Sequence, residues 1–367
     1  MFRYGIPLVA TLLHVYVAWR ASSVPALSRR LPRRWIFGVA GLLWASCIAG
    51  RLVGHGSSGP IAGGLELFGM CALASVGLMA VALLAAELAT GFGLLLRRWA
   101  PGLRGWALLV GLVLSGVALV QGLRAPVVRR YEVRFPGLPA SLDGTVVVVA
   151  SDLHLGNLLG AGWLADRVEQ IRGLRPDLVL FLGDIFEGHG PVAPELIAEL
   201  RRLSAPLGLF AVTGNHEHHG EGQEDKLEAA GFRVLHDGHA VVRPGLVLVG
   251  VDDLTRRRRS GADTGAIVTR VLRRAPPGAS VFLSHAPINA EEAAAAGADL
   301  MLSGHTHGGQ IWPLGYLVRL AYPLIGGRYL VNGLAVIVCR GTGTWGPRMR
   351  LWRPGEILRV VLRAAGS

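Results

Sequence analysis

The reading of the fold turns on Ser303-Gly304-His305-Thr306-His307-Gly308-Gly309-Gln310. This stretch follows a short apolar run, Ala298 to Leu302, that reads as a buried strand. Two histidines at i and i+2, set between glycines just past a strand end, can turn towards one point. Glycine permits the sharp path and close approach this requires. A His-x-His pair alone is a weak signal, and what precedes it makes it strong. Asp152-Leu153-His154 follows the run Thr145 to Ala150, and Gly183-Asp184 follows Leu178 to Leu182. Gly214-Asn215-His216-Glu217 follows Leu209 to Val212, and Ser284-His285 follows Ser280 to Leu283. Five apolar strands each end in a metal-ligating or acid-base residue. Ligands of α/β sheets sit outside the carboxyl ends of the strands, so these five loops can converge on one site.

Working outward, helical patterns fall between the strands at Trp163 to Ile171, Ala193 to Leu203, Lys226 to Ala230, Gly265 to Arg274 and Ala290 to Ala296. This alternation predicts a layered α/β fold. Near the end, Tyr329 to Asn332, Ala335 to Cys339 and Leu358 to Leu362 read as strands with no helices between them. Two packed mixed sheets with helices outside accommodate both patterns.

The order Asp-x-His, Gly-Asp, Gly-Asn-His-Glu, His, Gly-His-x-His resembles the calcineurin-like metallophosphoesterases. The fuller wording Ser151-Asp152-Leu153-His154-Leu155-Gly156 and Gly304 to Gln310 is similar to their membrane-associated bacterial branch, as are Arg340-Gly341-Thr342-Gly343-Thr344 and Pro354-Gly355-Glu356-Ile357. The resemblance runs from about Tyr131 to the C-terminus and implies an αββα sandwich.

The first third is of another kind. Tyr4 to Trp19, Trp35 to Gly50, Leu67 to Ala86 and Gly105 to Leu123 are uncharged apolar runs. About 20 apolar residues span a bilayer, so an all-α transmembrane region of about four helices is expected. A signal peptide in place of the first run is disfavoured, because no folded segment separates it from the second. The expected division is residues 1–124 transmembrane, 125–144 linker and lead-in strand, and 145–367 catalytic. The net charge of +12 over 367 residues sits mostly in the apolar part. Residues 1–135 hold 14 Arg against Glu66, Glu87 and Glu132, giving +11, and the remainder gives +1. The globular part therefore carries no nucleic-acid-binding signal, and nothing points to a protein partner. Cys47, Cys71 and Cys339 are too scattered for a disulfide framework or a thiolate metal site.

Arginines also set the expected orientation. Arg20, Arg29, Arg30, Arg33, Arg34, Arg97, Arg98 and Arg104 lie on one side of a four-span arrangement. Arg3, Arg51, Arg124, Arg129 and Arg130 lie on the other. Eight against five places the first set in the cytoplasm and the catalytic part outside it.

Cleaving a phosphate ester needs positive charge on the phosphoryl oxygens and a nucleophile at neutral pH. Two divalent ions roughly 3.5–4 Å apart supply both, since bound water can fall to a pKa of about 7. Asp184, in its short turn, is the choice for a bridging carboxylate. By resemblance, Asp152, His154 and His307 complete one metal site, and Asn215, His285 and His305 the other. This oxygen and imidazole set suits Mn, Fe or Zn without choosing among them. His216, next to Asn215, is the expected general acid, and Glu217 its orienting partner. His218, His219, His189, His236 and His239 have no ligand spacing and read as loop or strand-edge residues, and His14 as facing another helix. Arg256 to Arg259 reads as a solvated loop, with a grip on an anionic substrate or lipid head groups as the alternative.

The leading expectation is a membrane-anchored dinuclear-metal phosphoesterase acting on a phosphate ester, a phosphodiester or lipid-linked one, at the membrane lipids. A non-enzymatic membrane-tethered phosphate-binding or regulatory module is the alternative. It usually goes with lost ligands or a lost histidine at position 216, and none is missing. A channel or transporter is disfavoured, because the spans carry no charge at mid-depth.

Overall fold

The computed structural model describes residues 2–56, 59–187, 191–220 and 222–365, so His189 lies outside the described residues. The chain divides into two compact units, residues 1–123 with 346–351, and residues 124–345 with 352–367.

The first unit is helical. It comprises α1 (Phe2–Ala21), the short α2 (Pro25–Ser28), α3 (Arg33–Gly56), α4 (Pro60–Ala89) and α5 (Ala100–Leu123). Arg33–Gly54, Pro60–Ala89 and Ala100–Leu123 are long and apolar enough to cross a membrane. The fourth expected run lies in α1, which is not in that set but packs on α3 and α4. Close packing relies on small residues: Gly69 meets the backbone of Ser46 and Cys47, where a Cβ would come within 2.9 Å of the Cys47 Cα. Such contacts are the usual device for joining helices in lipid. Glu66 and Glu87 are both buried. The Glu87 carboxylate lies 2.6 Å from Arg104 Nε and 3.2 Å from Arg20 Nε. The last turn of α4, the last turn of α1 and the start of α5 are thus tied together. Residues 346–351 also belong here, with the Arg350 N–H donating to the Ala118 carbonyl at 2.9 Å.

Three residues, Arg124–Pro126, join α5 to the second unit. Its strands in chain order are β1 (Val127–Phe135), β2 (Val146–Ala150), β3 (Leu178–Leu182), β4 (Leu209–Val212), β5 (Arg233–Val234), β6 (Gly238–Arg243), β7 (Leu246–Gly250), β8 (Ala279–Leu283), β9 (Leu300–Ser303), β10 (Gly327–Val331), β11 (Leu334–Val338) and β12 (Glu356–Ala364). Two six-stranded mixed sheets result, ordered β1-β12-β2-β3-β4-β5 and β10-β11-β9-β8-β7-β6. In the segment expected as linker and lead-in strand lies β1, with Val127 to Phe135 paired in parallel to Glu356 to Ala364.

Side chains of a strand alternate between its faces. Leu178, Leu180 and Leu182 of β3 enter the core between the sheets, where they meet Leu248, Val281, Leu283 and Leu302. Val179 and Phe181 point the other way, towards α6 (Ala161–Gly173), α7 (Pro194–Leu200) and α8 (Gln223–Ala229). On the far side, Val249, Phe282 and Met301 meet α10 (Thr264–Arg273) and α11 (Ala290–Ala295), which follow the short α9 (Leu254–Arg259). The last helix is α12 (Gly315–Ala321). Strands covered on both faces read as unbroken apolar runs, which is why the motif strands were visible as such. The expected αββα sandwich is the fold.

Candidate metal centre

The parallel strands β2, β3 and β4 of one sheet and β8 and β9 of the other release their chains at the same end, and the motif residues occupy those loops. Tight turns aim them. Asp152, His154, Asp184, His305 and His307 all have positive φ, between 49° and 70°. Such backbone is unfavourable for side chains other than glycine, by roughly 1–3 kcal/mol each, and is tolerated where the surroundings hold it. The two sheets come so close here that a Cβ on Gly304 would lie 2.5 Å from Asp152 Oδ2. Only glycine lets the β9 loop pass the β2 loop at that distance.

The side chains form two clusters about one carboxylate. In one, His154 Nε2 and His307 Nε2 face each other at 3.1 Å, and Asp152 Oδ1 lies 3.4 Å from His307 Nε2. In the other, His285 Nε2 and His305 Nδ1 face each other, also at 3.1 Å. Asp184 Oδ2 stands 3.2 Å from His285 Nε2 and 3.9 Å from His154 Nε2, so it belongs to both. Asp152, His154 and His307 therefore group as one candidate metal-holding set and Asp184, His285 and His305 as another, while His154, Asp184 and His216 form a third that overlaps both. Asn215 follows β4 directly, and its buried Oδ1 has no hydrogen-bond partner among the described residues.

Outer contacts decide which ring nitrogen faces inward. His285 Nδ1 lies 2.7 Å from the Leu182 carbonyl, which fixes it as the N–H donor and turns the Nε2 lone pair to the cluster. His154 Nδ1 lies 2.9 Å from the Glu187 carboxylate, and His305 Nε2 lies 2.9 Å from the Tyr322 hydroxyl. His216 donates from its backbone N–H to Asp184 Oδ1 at 2.9 Å and from Nδ1 to the Glu187 carbonyl at 2.6 Å. The His216 ring meets that of His154 edge-on at 4.7 Å, so the expected general acid borders the first cluster.

Charge in the site favours cations. Burial works against the charged form of His154, but Glu187, Asp184 and Asp152 outweigh it and hold its pKa at about 9. Burial likewise opposes charge on His285, yet Asp184 keeps its pKa well above the ordinary range. For Asp184, burial is overcome by His285, His216 and His154, and its pKa lies well below the carboxylate norm. His305 goes the other way, lowered to about 4 by burial and the neighbouring His285 charge. Acidic groups thus draw protons onto two imidazoles. Paired inward lone pairs, a shared carboxylate and an unpartnered amide oxygen form an oxygen and nitrogen donor set that divalent ions fit.

Some expectations are corrected. Glu217 does not orient His216. It is buried, and its carboxylate accepts from the backbone N–H groups of Asp184, Ile185 and Gly214 at 2.7–2.8 Å and of Phe186 at 3.2 Å. It therefore locks the turn that presents Asp184. Arg256 to Arg259 is not a loop but the end of α9, capped by Asp253, and Arg257 pairs with Asp252 at 2.7 Å. His219, set aside on spacing, brings its ring within 5.1 Å of His216. His236 pairs with Asp252 at 2.7 Å. Sequence reasoning missed Glu187 and Tyr322. Neither stands in a recognisable spacing, although Glu187 lies only three residues beyond Asp184.

Residues 145–309 match the calcineurin-like phosphoesterase family. A transmembrane protein with metallophosphoesterase domain from Danio rerio is 34% identical over 272 residues, 71% of this chain and 62% of that protein. An uncharacterised metallophosphoesterase from Aquifex aeolicus is 35% identical over 249 residues, 65% of this chain and 93% of that protein. A solved dimetal phosphatase from Danio rerio overlaps 55% of this chain and 88% of its own, with 15% identity and a TM-score of 0.38, too partial an overlap to bear on function. The chain belongs to the calcineurin-like metallophosphoesterases. It spans 62% of the length of its Danio rerio and Bos taurus relatives.

Proposed function

We propose that the chain is a membrane-anchored phosphoesterase that hydrolyses a phosphate ester with two divalent ions. Asp152, His154 and His307 would hold one ion and Asn215, His285 and His305 the other, with Asp184 common to both sets. The observation that carries this reading is Asp184 Oδ2, placed between two pairs of facing histidines. Bound there, the ions supply positive charge to the phosphoryl oxygens and a nucleophile at neutral pH. The chain's own residues do the rest. His216, held at Nδ1 by the Glu187 carbonyl, protonates the leaving oxygen from Nε2. Glu187 and Tyr322 keep His154 and His305 turned inward. Glu217 holds the Asp184 turn in its left-handed geometry. Mn, Fe and Zn all suit the donors.

A phosphodiester, and one presented at a membrane surface, is the favoured substrate, since the catalytic unit follows apolar helices. The name of the Danio rerio relative agrees with membrane attachment. We place the catalytic unit on the extracytoplasmic side. The eight-to-five arginine count supports this, and so does the common partner of Arg20 and Arg104 on Glu87, which aligns α1 with the spans as a fourth.

The test is turnover of an aryl phosphodiester by the purified full chain with Mn, Fe or Zn, beside Asp184→Asn. Hydrolysis by the first and not the second supports the reading. No turnover with any of the three metals favours a non-enzymatic phosphate-binding module instead.

A further inference from the structure

The seven residues of α12, GYLVRLA, contain no buried residue. Among the described residues, each of the other six α-helices of its unit buries at least two. Leu320 is 84% exposed, Leu317 and Tyr316 65%, and the preceding Leu314 47%. At 3.6 residues per turn these four side chains share one side of the helix. Apolar area left in water is unfavourable in proportion to its extent, and a contiguous patch marks a surface that is covered in use.

Its position joins this patch to the candidate metal centre at both ends. At the start, Gly309, two residues beyond His307, packs directly on Gly315. At the end, the helix runs into Tyr322, whose hydroxyl lies 2.9 Å from His305 Nε2. Cationic groups border the same rim. Arg319 lies exposed on α12 itself, and the charges of Arg258 and Arg259, at the end of α9, act on the Tyr322 hydroxyl. An apolar face beside a cationic rim complements an anionic lipid surface, which offers acyl chains to one and phosphates to the other. The unit that carries α12 follows α5, a helix fit to cross a membrane, after only the three residues Arg124–Pro126.

We propose that α12 docks on an anionic bilayer, with Leu314, Tyr316, Leu317 and Leu320 entering the boundary between head groups and acyl chains. The surface then presents lipid phosphate esters to the rim formed by Tyr322, Arg258 and Arg259. Docking stands on the exposed helix alone, whereas its catalytic consequence rests on the phosphoesterase reading.

The test uses the full chain in vesicles of three parts phosphatidylcholine to one of phosphatidylglycerol. Cys47, Cys71 and Cys339 are replaced by alanine, and Leu317→Cys carries an environment-sensitive fluorophore. A second preparation carries the label at Asp166→Cys, an exposed position on α6. The label on α12 is expected to shift to the blue and to be quenched by doxyl-labelled lipid, while that on α6 stays unquenched. A water-like, unquenched label at 317 overturns the proposal. So does a blue shift without lipid quenching, which means that a second copy or another protein covers the helix. In parallel, Leu317→Ser with Leu320→Ser is expected to lower kcat/KM at least tenfold on a bilayer-embedded phosphodiester and to leave an aryl phosphodiester within about twofold. Equal loss on both substrates assigns α12 a structural role and contradicts the proposal. If the wild type turns over neither, the phosphoesterase reading fails while the quenching result still decides docking.

Discussion

Asp184 concentrates the site's chemistry in one side chain. Its Oδ2 reaches histidines of both clusters, and its Oδ1 accepts from the His216 backbone. Asp184→Asn keeps the shape but removes the charge that the two proposed cations would share, so turnover is expected to vanish and bound metal to fall. His216→Ala removes the proposed proton donor and no proposed ligand, so kcat is expected to drop by roughly 10²–10⁴ with metal content unchanged. Loss of metal in that variant would make His216 a ligand rather than the acid. The metal-free site also predicts a pH dependence. His154, with a pKa of about 9, and His285, held well above the ordinary range by Asp184, both carry protons at neutral pH. An entering ion must expel them, so apparent metal affinity rises with pH below about 9, close to tenfold per unit for each proton released. Titration with Zn in two buffers of different ionisation enthalpy measures that release. A proton count of zero contradicts the account.

At the scale of elements, strands and turns divide the work, and the turns are the strained part. Gly304→Ala places a methyl against Asp152 Oδ2 and is expected to reduce both metal content and activity, with a stability cost of about 1–3 kcal/mol. Glu217→Gln is isosteric, yet it sets an amide donor against backbone donors that a carboxylate oxygen now satisfies. A loss of about 1–3 kcal/mol is expected in the thermal unfolding of the chelated protein. An unchanged transition would remove the structural role given to Glu217. These elements were unequally legible. β3, β4, β8 and β9 are buried on both faces, so their apolar runs and the ligand-type residues after them stood out. Helix α12 did not, because its leucines serve no core and no periodic pattern of burial marks it. Glu187 was hidden because it acts through the fold: a carboxylate in a loop acquires meaning only when His154 arrives beside it. Residues 346–351, far along the chain, gave no sign that they belong with the helical unit.

For the molecule as a whole, the central claim is that a unit of membrane-compatible helices carries a dinuclear hydrolytic site in one chain. The helical unit is held in part by Glu87, fully buried between Arg20 and Arg104. Removing one member of a buried ionic cluster leaves charge uncompensated, so Glu87→Ala is expected to cost about 3–5 kcal/mol, read as an earlier unfolding transition of the detergent-solubilised chain. Sidedness is tested by C-terminal fusions: alkaline phosphatase activity is expected, and fluorescence of a cytoplasmic reporter without it would place the catalytic unit inside. The most direct test is metal stoichiometry measured together with turnover. The full chain is stripped with chelator, titrated with Mn, and assayed at each step for bound metal and for hydrolysis of an aryl phosphodiester. The account predicts that activity rises as two ions per chain are taken up, and that Asp184→Asn neither fills both positions nor turns over. Full activity with a single bound ion, or in the chelated protein, would contradict it.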